Sequence, residues 1–235
     1  MKNQGKEEFK IEDVIGVIFD FNGTMFFDSD KHIKAWREYT EELIGRKVTP
    51  EERRLYIRDK SGRQIIEHFL GYEISDEMFE QFSEEKETIY RKLCKEDKAN
   101  LKLANGLEEF LDYLTEYNIP RTIATTAPLS NIMFYFETFD LYRWFDPDKI
   151  VFHDKRLRDK PYPDCYLVAC KMIDKEPSKC LVFEDSTIGI TAATNAGIKH
   201  IVAVTGDNPK LDVNGFDNVQ GVIRDYLELN EEFDI

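Results

Sequence analysis

The stretch Val14–Thr24, VIGVIFDFNGT, contains the pattern that decides the fold. Its first part is an apolar run of the β type that ends on the carboxylate of Asp20. The chain then turns through Asn22 and Gly23 to the hydroxyl of Thr24. A carboxylate at a strand end can serve as a nucleophile, with a second acidic side chain nearby to shuttle protons. The side chain two residues after this carboxylate is an amide, which raises the question of how protons would move.

Four further apolar runs follow along the chain. They are RTIATT (121–126), KIVF (149–152), KCLVFED (179–185) and KHIVAV (199–204). Helical patterns separate the runs. One covers 106–117, where Asn105 and Glu108 resemble a capping box. Another covers 186–196 and ends at Gly197, a residue type favoured at helix C-termini. Strands that alternate with helices predict an α/β fold with a Rossmann-like parallel sheet.

The interval 28–100 breaks this alternation because it contains helical patterns only. They cover 29–44, a segment near 50–70, and 75–93. We predict an inserted helical-bundle cap subdomain at 28–100 and a core formed by 1–27 and 101–235. The alternative is two ordinary crossover helices joined by long loops, which compact domains rarely contain.

The composition is that of an acidic globular protein. Its 235 residues include 46 acidic and 32 basic side chains, for a net charge of −14. A surface this negative opposes binding to nucleic acid or to an anionic membrane, and we expect neither as a partner. No apolar run approaches the roughly 20 residues that span a bilayer, and the first residues lack the apolar segment of a signal peptide. The four cysteines form no CxxC pair, which favours reduced, buried thiols and a cytoplasmic protein.

Polar groups that can carry chemistry stand directly after four of the runs. They are Asp20 after the first, Thr125 and Thr126 at the end of the second, Lys160 in the loop after the third, and Glu184 with Asp185 at the end of the fourth. In doubly wound sheets, ligands bind beyond the carboxyl ends of the strands. We therefore expect these side chains to line one cleft.

These motifs resemble those of the haloacid dehalogenase-like (HAD) phosphotransferases, in particular the β-phosphoglucomutase-like branch with a helical cap after the first strand. DFNGT resembles the family's DxDGT motif, IATT its second motif, DKPYPD its lysine motif and FEDSTIGITAATNAGI its acidic metal motif. The resemblance covers the chain from Val14 to Leu229. It implies a Rossmann-like core, a bound Mg²⁺ ion and transfer of a phosphoryl group through an aspartyl phosphate.

The residues suit a phosphoryl-transfer site on physical grounds. The carboxylate of Asp20 can attack phosphorus and form a covalent intermediate, which divides one difficult step into two. The ion Mg²⁺ prefers oxygen ligands, few of them from protein. The metal ligands that we predict are Asp20, the backbone carbonyl of Asn22, Asp185 and, through a water, Glu184.

Other residues are suited to hold the phosphoryl oxygens. Lys160 supplies a compact positive charge. Thr125 and the backbone N–H groups around Thr126 can donate hydrogen bonds as charge spreads over those oxygens. Gly23 permits the tight turn after the nucleophile. We therefore predict catalytic roles for Asp20, Asn22, Thr125 and Lys160, and substrate contacts for Gly23 and Thr126.

The family residue that matches Asn22 is normally an aspartate, which protonates the leaving alcohol and then deprotonates the attacking water. An amide cannot exchange a proton at neutral pH, and general acid–base help is typically worth about 10²–10⁴-fold. Four explanations stay open. The site prefers donors such as acyl phosphates, whose leaving group needs no proton; another group, such as His32, replaces the shuttle; the amide is an engineered trap; or Asn22–Gly23 slowly deamidates to a carboxylate.

The predicted cap contains further candidates for substrate binding. The segment IRDKSGRQ (57–64) is its most basic short piece, in which Arg58, Lys60 and Arg63 surround a Ser–Gly turn. This segment loosely resembles the family's substrate loop. His32, in the sequence HIKAW, matches a His–Ala–Trp-like position of the resembling branch. A cap of this kind excludes water from the reaction and selects the substrate.

Together, the patterns predict a Mg²⁺-dependent phosphatase or phosphomutase of a small phosphorylated metabolite, in the first place a sugar phosphate, with Asp20 as nucleophile. The alternative is a non-catalytic protein that binds such a metabolite and retains the cleft. The sequence leaves the particular metabolite and the oligomeric state open.

Overall fold

The computed structural model describes residues 15–57, 60–154, 156–206, 208 and 211–229. The first residues, in which no signal peptide is expected, and Arg58 of the predicted substrate loop lie outside these ranges. The chain divides into two compact units. The sheet unit consists of the chain up to Phe27 and from Lys102 onward, and the helical unit is Asp28–Leu101.

The sheet unit contains five parallel strands in the order β2-β1-β3-β4-β5. They are β1 (Gly16–Phe19), β2 (Arg121–Ile123), β3 (Cys180–Glu184), β4 (His200–Val204) and β5 (Val219–Ile223). Such a strand order, in which β1 lies between two later strands, is typical of doubly wound folds. The predicted α/β fold with a parallel sheet is confirmed.

The helices lie between the strands in the sequence and make up most of the helical unit. Within the described residues they are α1 (Ser29–Ile44), α2 (Pro50–Glu52), α3 (Gly62–Leu70), α4 (Asp76–Glu96), α5 (Leu107–Glu116), α6 (Leu129–Phe139), α7 (Asp164–Met172) and α8 (Thr187–Asn195). The segment predicted as one helix near 50–70 is interrupted, because α2 continues into a π-turn at Arg53–Ile57 and α3 starts afresh at Gly62.

The sequence-based strand assignment is wrong at two places. The run KIVF forms no strand; of its residues, Val151 makes an isolated bridge to Ala124. The strand β5 was not predicted, because Gln220 and Gly221 interrupt the apolar run VQGVI and hide it. The sheet therefore has the expected parallel character but a different fifth strand.

The predicted capping box at the start of α5 is also wrong. Gly106 is the N-cap and provides no side-chain hydrogen bond. The side chain of Asn105 instead donates to Asp225 Oδ2 at 3.0 Å, so a tertiary contact replaces the local one.

Apolar side chains cover both faces of the sheet, because successive residues of a strand point to opposite faces. On one face, Ile18 and Val182 pack with residues of α7 and α8. On the other face, the ring of Phe19 stacks on Phe183 with centroids 5.2 Å apart. All residues of β1 and β3 are buried. The two central strands thus give the carboxyl edge of the sheet a rigid base.

The helical unit has apolar clusters of its own. One is built on Tyr39, Ile66 and Ile74, and another on Val48, Ile57 and Ile65. Its helices begin at well-formed caps, since Ser61 and Ser75 each accept a backbone hydrogen bond from the first turn of the following helix. No helix in the described part of the chain is long and apolar enough to cross a membrane.

Candidate active site

Asp20 lies one residue beyond β1, at the carboxyl edge of the sheet, and is 7% exposed. Its backbone N–H donates to the carbonyl of Phe183 at 3.0 Å, which sets Asp20 level with Glu184 at the end of β3. Thr24 Oγ1 lies 3.4 Å from Asp20 Oδ2. Because β1 has a neighbouring strand on each side, groups that follow β2 or β3 can reach Asp20.

Lys160 bridges two carboxylates at this edge. Its Nζ donates to Asp20 Oδ1 at 2.6 Å and to Glu184 Oε1 at 2.7 Å, and its side chain is only 8% exposed. Burial by itself lowers the pKa of Lys160, but the charges of Asp20 and Glu184 outweigh this effect and raise the pKa well above its ordinary value. Lys160 is therefore a fixed positive charge beside the proposed nucleophile.

Both oxygens of Glu184 accept hydrogen bonds from within the protein. Besides Lys160, the hydroxyl of Tyr166 donates to Oε1 at 3.1 Å. The backbone N–H and the hydroxyl of Ser186 donate to Oε2 at 2.8 Å and 3.0 Å. A side chain at Gly189 would overlap the Glu184 carboxylate, so glycine is required there. These contacts make Glu184 an anchor for Lys160 and for the start of α8.

The acidic residues form a cluster suited to a cation. Among the described residues, Asp20, Glu184 and Asp185 are the group whose carboxylate oxygens lie within 4.8 Å of one another. Lys160 contacts two of these carboxylates, and a divalent cation is a further group that can neutralise carboxylates gathered this closely. Gly23 has a φ of +78°, and any side chain there would overlap the Asp185 carboxylate. The gathered oxygen ligands and this close approach fit a magnesium ion.

Thr125 and Thr126 follow β2 at the same edge of the sheet. The backbone N–H of Ala124 donates to the carbonyl of Phe19 at 2.8 Å, which places Thr125 just beyond the level of the nucleophile. Thr125 is buried, and its Oγ1 accepts from the backbone N–H of Ala127 at 3.1 Å. Thr126 is exposed. The turn after β2 is therefore held in shape by Thr125, and Thr126 is open to solvent.

The amide of Asn22 has a specific partner in the sheet unit. Its Nδ2 donates to the hydroxyl of Tyr135, on α6, at 2.8 Å. Tyr135 is fully buried. Neither side chain carries a group that titrates near neutral pH. The position that the family uses for proton transfer is therefore occupied by a hydrogen-bonded, non-titrating pair.

The three described cap candidates, Lys60, Arg63 and His32, have different environments in the helical unit. Lys60 is exposed. Arg63 donates to the carbonyl of Ile74 at 2.8 Å and to Asp76 Oδ1 at 2.6 Å, contacts that join the start of α3 to that of α4. His32 contacts other polar side chains of the same unit.

His32 belongs to a polar network inside the helical unit. Its Nδ1 lies 2.9 Å from the Nζ of buried Lys86, and its Nε2 lies 3.3 Å from Asp28 Oδ2. The imidazole stacks on the ring of Tyr90 with centroids 4.1 Å apart, and the Tyr90 hydroxyl donates to Asp28. These contacts fix the orientation of the imidazole within its own unit.

Sequence reasoning missed three side chains of the cluster. Ser186 follows the acidic pair and caps α8, since its Oγ accepts from the N–H of Gly189 at 3.0 Å; a serine just before a helix was a usable signal. Tyr166 lies six positions after Lys160, inside an apolar helix, where an aromatic side chain gives no functional signal. Tyr135 lies far from Asn22 in the sequence, and its contact depends wholly on tertiary structure.

The fold and the cluster define the class of protein. It is an α/β protein with an acidic, lysine-bearing site at the carboxyl edge of a doubly wound parallel sheet. A family profile for "Haloacid dehalogenase-like hydrolase" matches residues 17–203, most of the chain. The chain therefore belongs to the haloacid dehalogenase-like hydrolase family, and the expected family resemblance is confirmed.

Individual relatives agree with this assignment. A "Phosphorylated carbohydrates phosphatase" from Thermotoga maritima is 30% identical over 191 residues, which are 80% of this chain and 84% of that protein. The crystal structure of a HAD hydrolase, family IA, variant 3 from Entamoeba histolytica has a TM-score of 0.82 at 36% identity and covers 93% of this chain and 97% of that one. A putative β-phosphoglucomutase from Thermotoga maritima has a TM-score of 0.66 at 26% identity, with coverages of 92% and 97%.

Proposed function

We propose that this hydrolase is a phosphatase or phosphomutase of a small phosphorylated metabolite, in the first place a sugar phosphate, and that Asp20 is its nucleophile. The observation that carries the proposal is the contact of Lys160 with both Asp20 and Glu184 at the carboxyl edge of the sheet. The phosphorylated carbohydrates phosphatase from Thermotoga maritima supports the substrate class. A non-catalytic binding protein has no support among the named relatives.

The chain's own residues account for nucleophilic attack. Asp20 Oδ1 is held by Lys160, while Thr24 lies near Oδ2 at the outer limit of a hydrogen bond. The carboxylate of Asp20 would attack phosphorus, form an aspartyl phosphate and release the alcohol. Lys160 lies beside the nucleophile, where its charge attracts a phosphate anion and stabilises the charge that develops during transfer.

Asp20, the backbone carbonyl of Asn22 and Asp185 would hold a magnesium ion, with Glu184 one step further out because its oxygens already accept four hydrogen bonds. The ion would reduce the repulsion between the carboxylates and the phosphate. We propose that the turn after β2, with Thr125 and Thr126, donates hydrogen bonds to the phosphoryl oxygens.

Asn22 limits the substrates that the site can turn over quickly. The amide of Asn22 can form hydrogen bonds, but it cannot protonate a leaving alkoxide at neutral pH. Acyl phosphates need no such proton, since their leaving carboxylate is stable as an anion. We therefore propose faster phosphate release from acyl phosphates than from sugar phosphates. The helical unit would serve as the cap that excludes water, and Lys60 stays a candidate for substrate contact there.

The test is a screen for phosphate release with Mg²⁺ and two kinds of donor, acetyl phosphate and a panel of sugar phosphates. The parent protein, Asp20→Ala and Asn22→Asp are compared. Release that is lost in Asp20→Ala supports the proposed nucleophile. Asn22→Asp is expected to raise release from sugar phosphates by roughly 10²–10⁴-fold, the usual contribution of a general acid–base group.

The same substitution is expected to change release from acetyl phosphate far less. No release from any donor by the parent and by Asn22→Asp would contradict the proposed function. Equal acceleration for both kinds of donor would contradict the role given to the amide while leaving the nucleophile in place.

A further inference from the structure

Tyr135 contacts both residues that follow the proposed nucleophile. Its ring stacks on Phe21, with centroids 4.0 Å apart and planes 15° from parallel. Its hydroxyl accepts the hydrogen bond from Asn22 Nδ2 at 2.8 Å. Tyr135 lies on α6, the helix that follows β2 and the proposed phosphate-binding turn. One buried side chain therefore joins the nucleophile loop, residues 20–26, to α6, the helix that follows the proposed phosphate-binding turn.

The backbone of the nucleophile loop is fixed by its own hydrogen bonds. The N–H of Gly23 donates to the carbonyl of Phe26 at 2.7 Å. The N–H groups of Met25 and Phe26 donate to the carbonyl of Phe21 at 2.8 Å and 3.1 Å. These bonds hold the main chain but not the side chain of Asn22, whose orientation the Tyr135 hydroxyl helps to set.

We propose that Tyr135 is a positioning residue of this site: its hydroxyl holds the Asn22 side chain in one orientation, and this hold protects the Asn22–Gly23 pair from deamidation. The catalytic part of the proposal rests on the proposed function above. The protective part rests only on the contacts of the loop. On this proposal, Asn22 stays an amide in the folded protein, and slow deamidation does not explain activity.

The chemistry of deamidation shows why both contacts oppose it. The backbone nitrogen of Gly23 attacks Cγ of Asn22, and a new C–N bond closes a five-membered succinimide. The bond from Cγ to Nδ2 breaks, the Gly23 nitrogen loses its proton, and ammonia leaves. Water then opens the ring to aspartate or isoaspartate, so the net change is amide plus water to carboxylic acid plus ammonia.

Each contact blocks one requirement of this reaction. The attacking nitrogen must lose its proton, but that N–H is donated to the carbonyl of Phe26. The side chain must turn its Cγ towards the Gly23 nitrogen, but Nδ2 is held by Tyr135.

The chain supplies its own controls for a test by mass spectrometry. Two other Asn–Gly pairs are present, Asn105–Gly106 and Asn214–Gly215. Asn214 and Gly215 are both exposed, and the Nδ2 of Asn214 donates to the exposed Asp212 at 2.7 Å, so this pair compares an exposed partner with the buried Tyr135. The folded protein is incubated at mildly alkaline pH, and the mass increase of each Asn–Gly peptide is followed with time, beside the same protein unfolded in urea.

In the folded parent, Asn22 is expected to convert much more slowly than Asn214, and in urea the two rates are expected to converge. In Tyr135→Phe, which removes only the hydroxyl, the Asn22 rate is expected to rise roughly two- to tenfold, the factor of one neutral hydrogen bond. The Asn214 rate should stay the same. If Asn22 in the folded parent converts as fast as it does in urea, the protective role is overturned even should Tyr135→Phe fail to fold.

A double-mutant cycle tests the positioning role in catalysis. Release of phosphate from acetyl phosphate is measured for Tyr135→Phe, Asn22→Ala and the combination. Tyr135→Phe is expected to lower kcat/KM roughly two- to tenfold in the parent and to cause no further loss once Asn22 is alanine. Losses that simply add would overturn the role. Tyr142→Phe, whose side chain is 54% exposed, is the matched control and should leave the rate unchanged.

The two experiments separate the inference from the function on which part of it rests. Were the parent inactive on every donor, the proposed function would fail, while the deamidation rates would still decide whether Tyr135 holds Asn22. Were the enzyme active and the cycle additive, the function would stand and Tyr135 would have no positioning role.

Discussion

Two of the buried lysines, Lys160 in the sheet unit and Lys86 in the helical unit, have different partners. Lys160 contacts two carboxylates, Asp20 and Glu184, and a third acidic residue lies in the same cluster. Lys86 is 2% exposed. It contacts the carboxylate of Glu87 at 2.7 Å and the imidazole of His32.

The surroundings of the two lysines differ in what the cation contacts. Lys86 also lies over the rings of Trp36 and Tyr90, at 5.1 Å and 5.5 Å from their centroids, and the imidazole that it contacts faces the buried carboxylate of Asp28. Lys160 contacts two carboxylates directly, and both belong to the cluster of oxygen ligands that suits a cation. We expect the contacts of Lys86 to serve the fold and those of Lys160 to serve a charged ligand as well.

The largest expected effect comes from removing each lysine in turn. We expect Lys160→Met to lower phosphate release by roughly 10²–10³-fold, as for loss of one preorganised electrostatic donor, and the free energy of unfolding by about 3–5 kcal/mol, because two buried carboxylates lose their cation. Lys86→Met strips one carboxylate only, and we expect a stability loss of roughly 1–3 kcal/mol.

Urea unfolding and a phosphate-release assay measure both effects. The comparison breaks down if Lys86→Met is the more destabilising of the two, since the number of carboxylates that the lysine contacts would then not decide the cost. It also breaks down if Lys160→Met retains the parent rate.

A smaller effect is expected from magnesium, which should bind the acidic cluster around Lys160 and not the network around Lys86. Magnesium at a hundred times its dissociation constant stabilises the folded state by about 2.7 kcal/mol, so the thermal midpoint of the parent should rise with Mg²⁺ and fall with chelator. Asp185→Asn should abolish this shift. Asp28→Asn, which changes a buried carboxylate of the helical unit, should retain it whatever its own stability. If the thermal midpoint of the parent does not change with Mg²⁺ and its activity persists in chelator, the metal site is refuted.

The smallest effect on activity is expected from thiol reagents, because all four cysteines are free and buried. Burial raises the pKa of the Cys165 thiol, in the sheet unit, to about 11, and that of Cys94, in the helical unit, to about 12. The thiolate is the reactive form and is scarce below the pKa, so alkylation near neutral pH should be slow in both units and accelerate only as the pH approaches these values. Rapid labelling of either cysteine in the folded protein, followed by peptide mass spectrometry, would contradict this expectation.

The parts of the fold that could be predicted were those with local signals. β1 and β3 are continuous apolar runs that end on acids, and α1 has the bounds that its helical pattern predicted. β5 could not be predicted because its residues Gln220 and Gly221 are not apolar. Only pairing with β4 makes this segment a strand.

The candidate site divides in the same way. Asp20, Glu184 and Asp185 could be found because they stand at the ends of β1 and β3, and parallel strands bring their carboxyl ends to one edge. Lys160 could be found from the motif DKPYPD, although the run before it forms no strand. The side chains that hold these residues in position could not be predicted from the sequence. Tyr135 and Tyr166 look like ordinary core residues in the sequence, and only the tertiary contacts of their hydroxyls reveal what they do.

The central place of β1 has a consequence for synthesis on the ribosome. β1 is the first strand to be made, but its two neighbours begin at Arg121 and Cys180, much later in the chain. Both edges of this apolar strand therefore stay unpaired through most of translation. Unpaired edges of this kind slow folding and favour aggregation of the nascent chain. The helical unit is made in this interval from one continuous segment and can fold while β1 waits. Chaperone demand should be greatest until β3 leaves the exit tunnel, when β1 can pair with both of its neighbours.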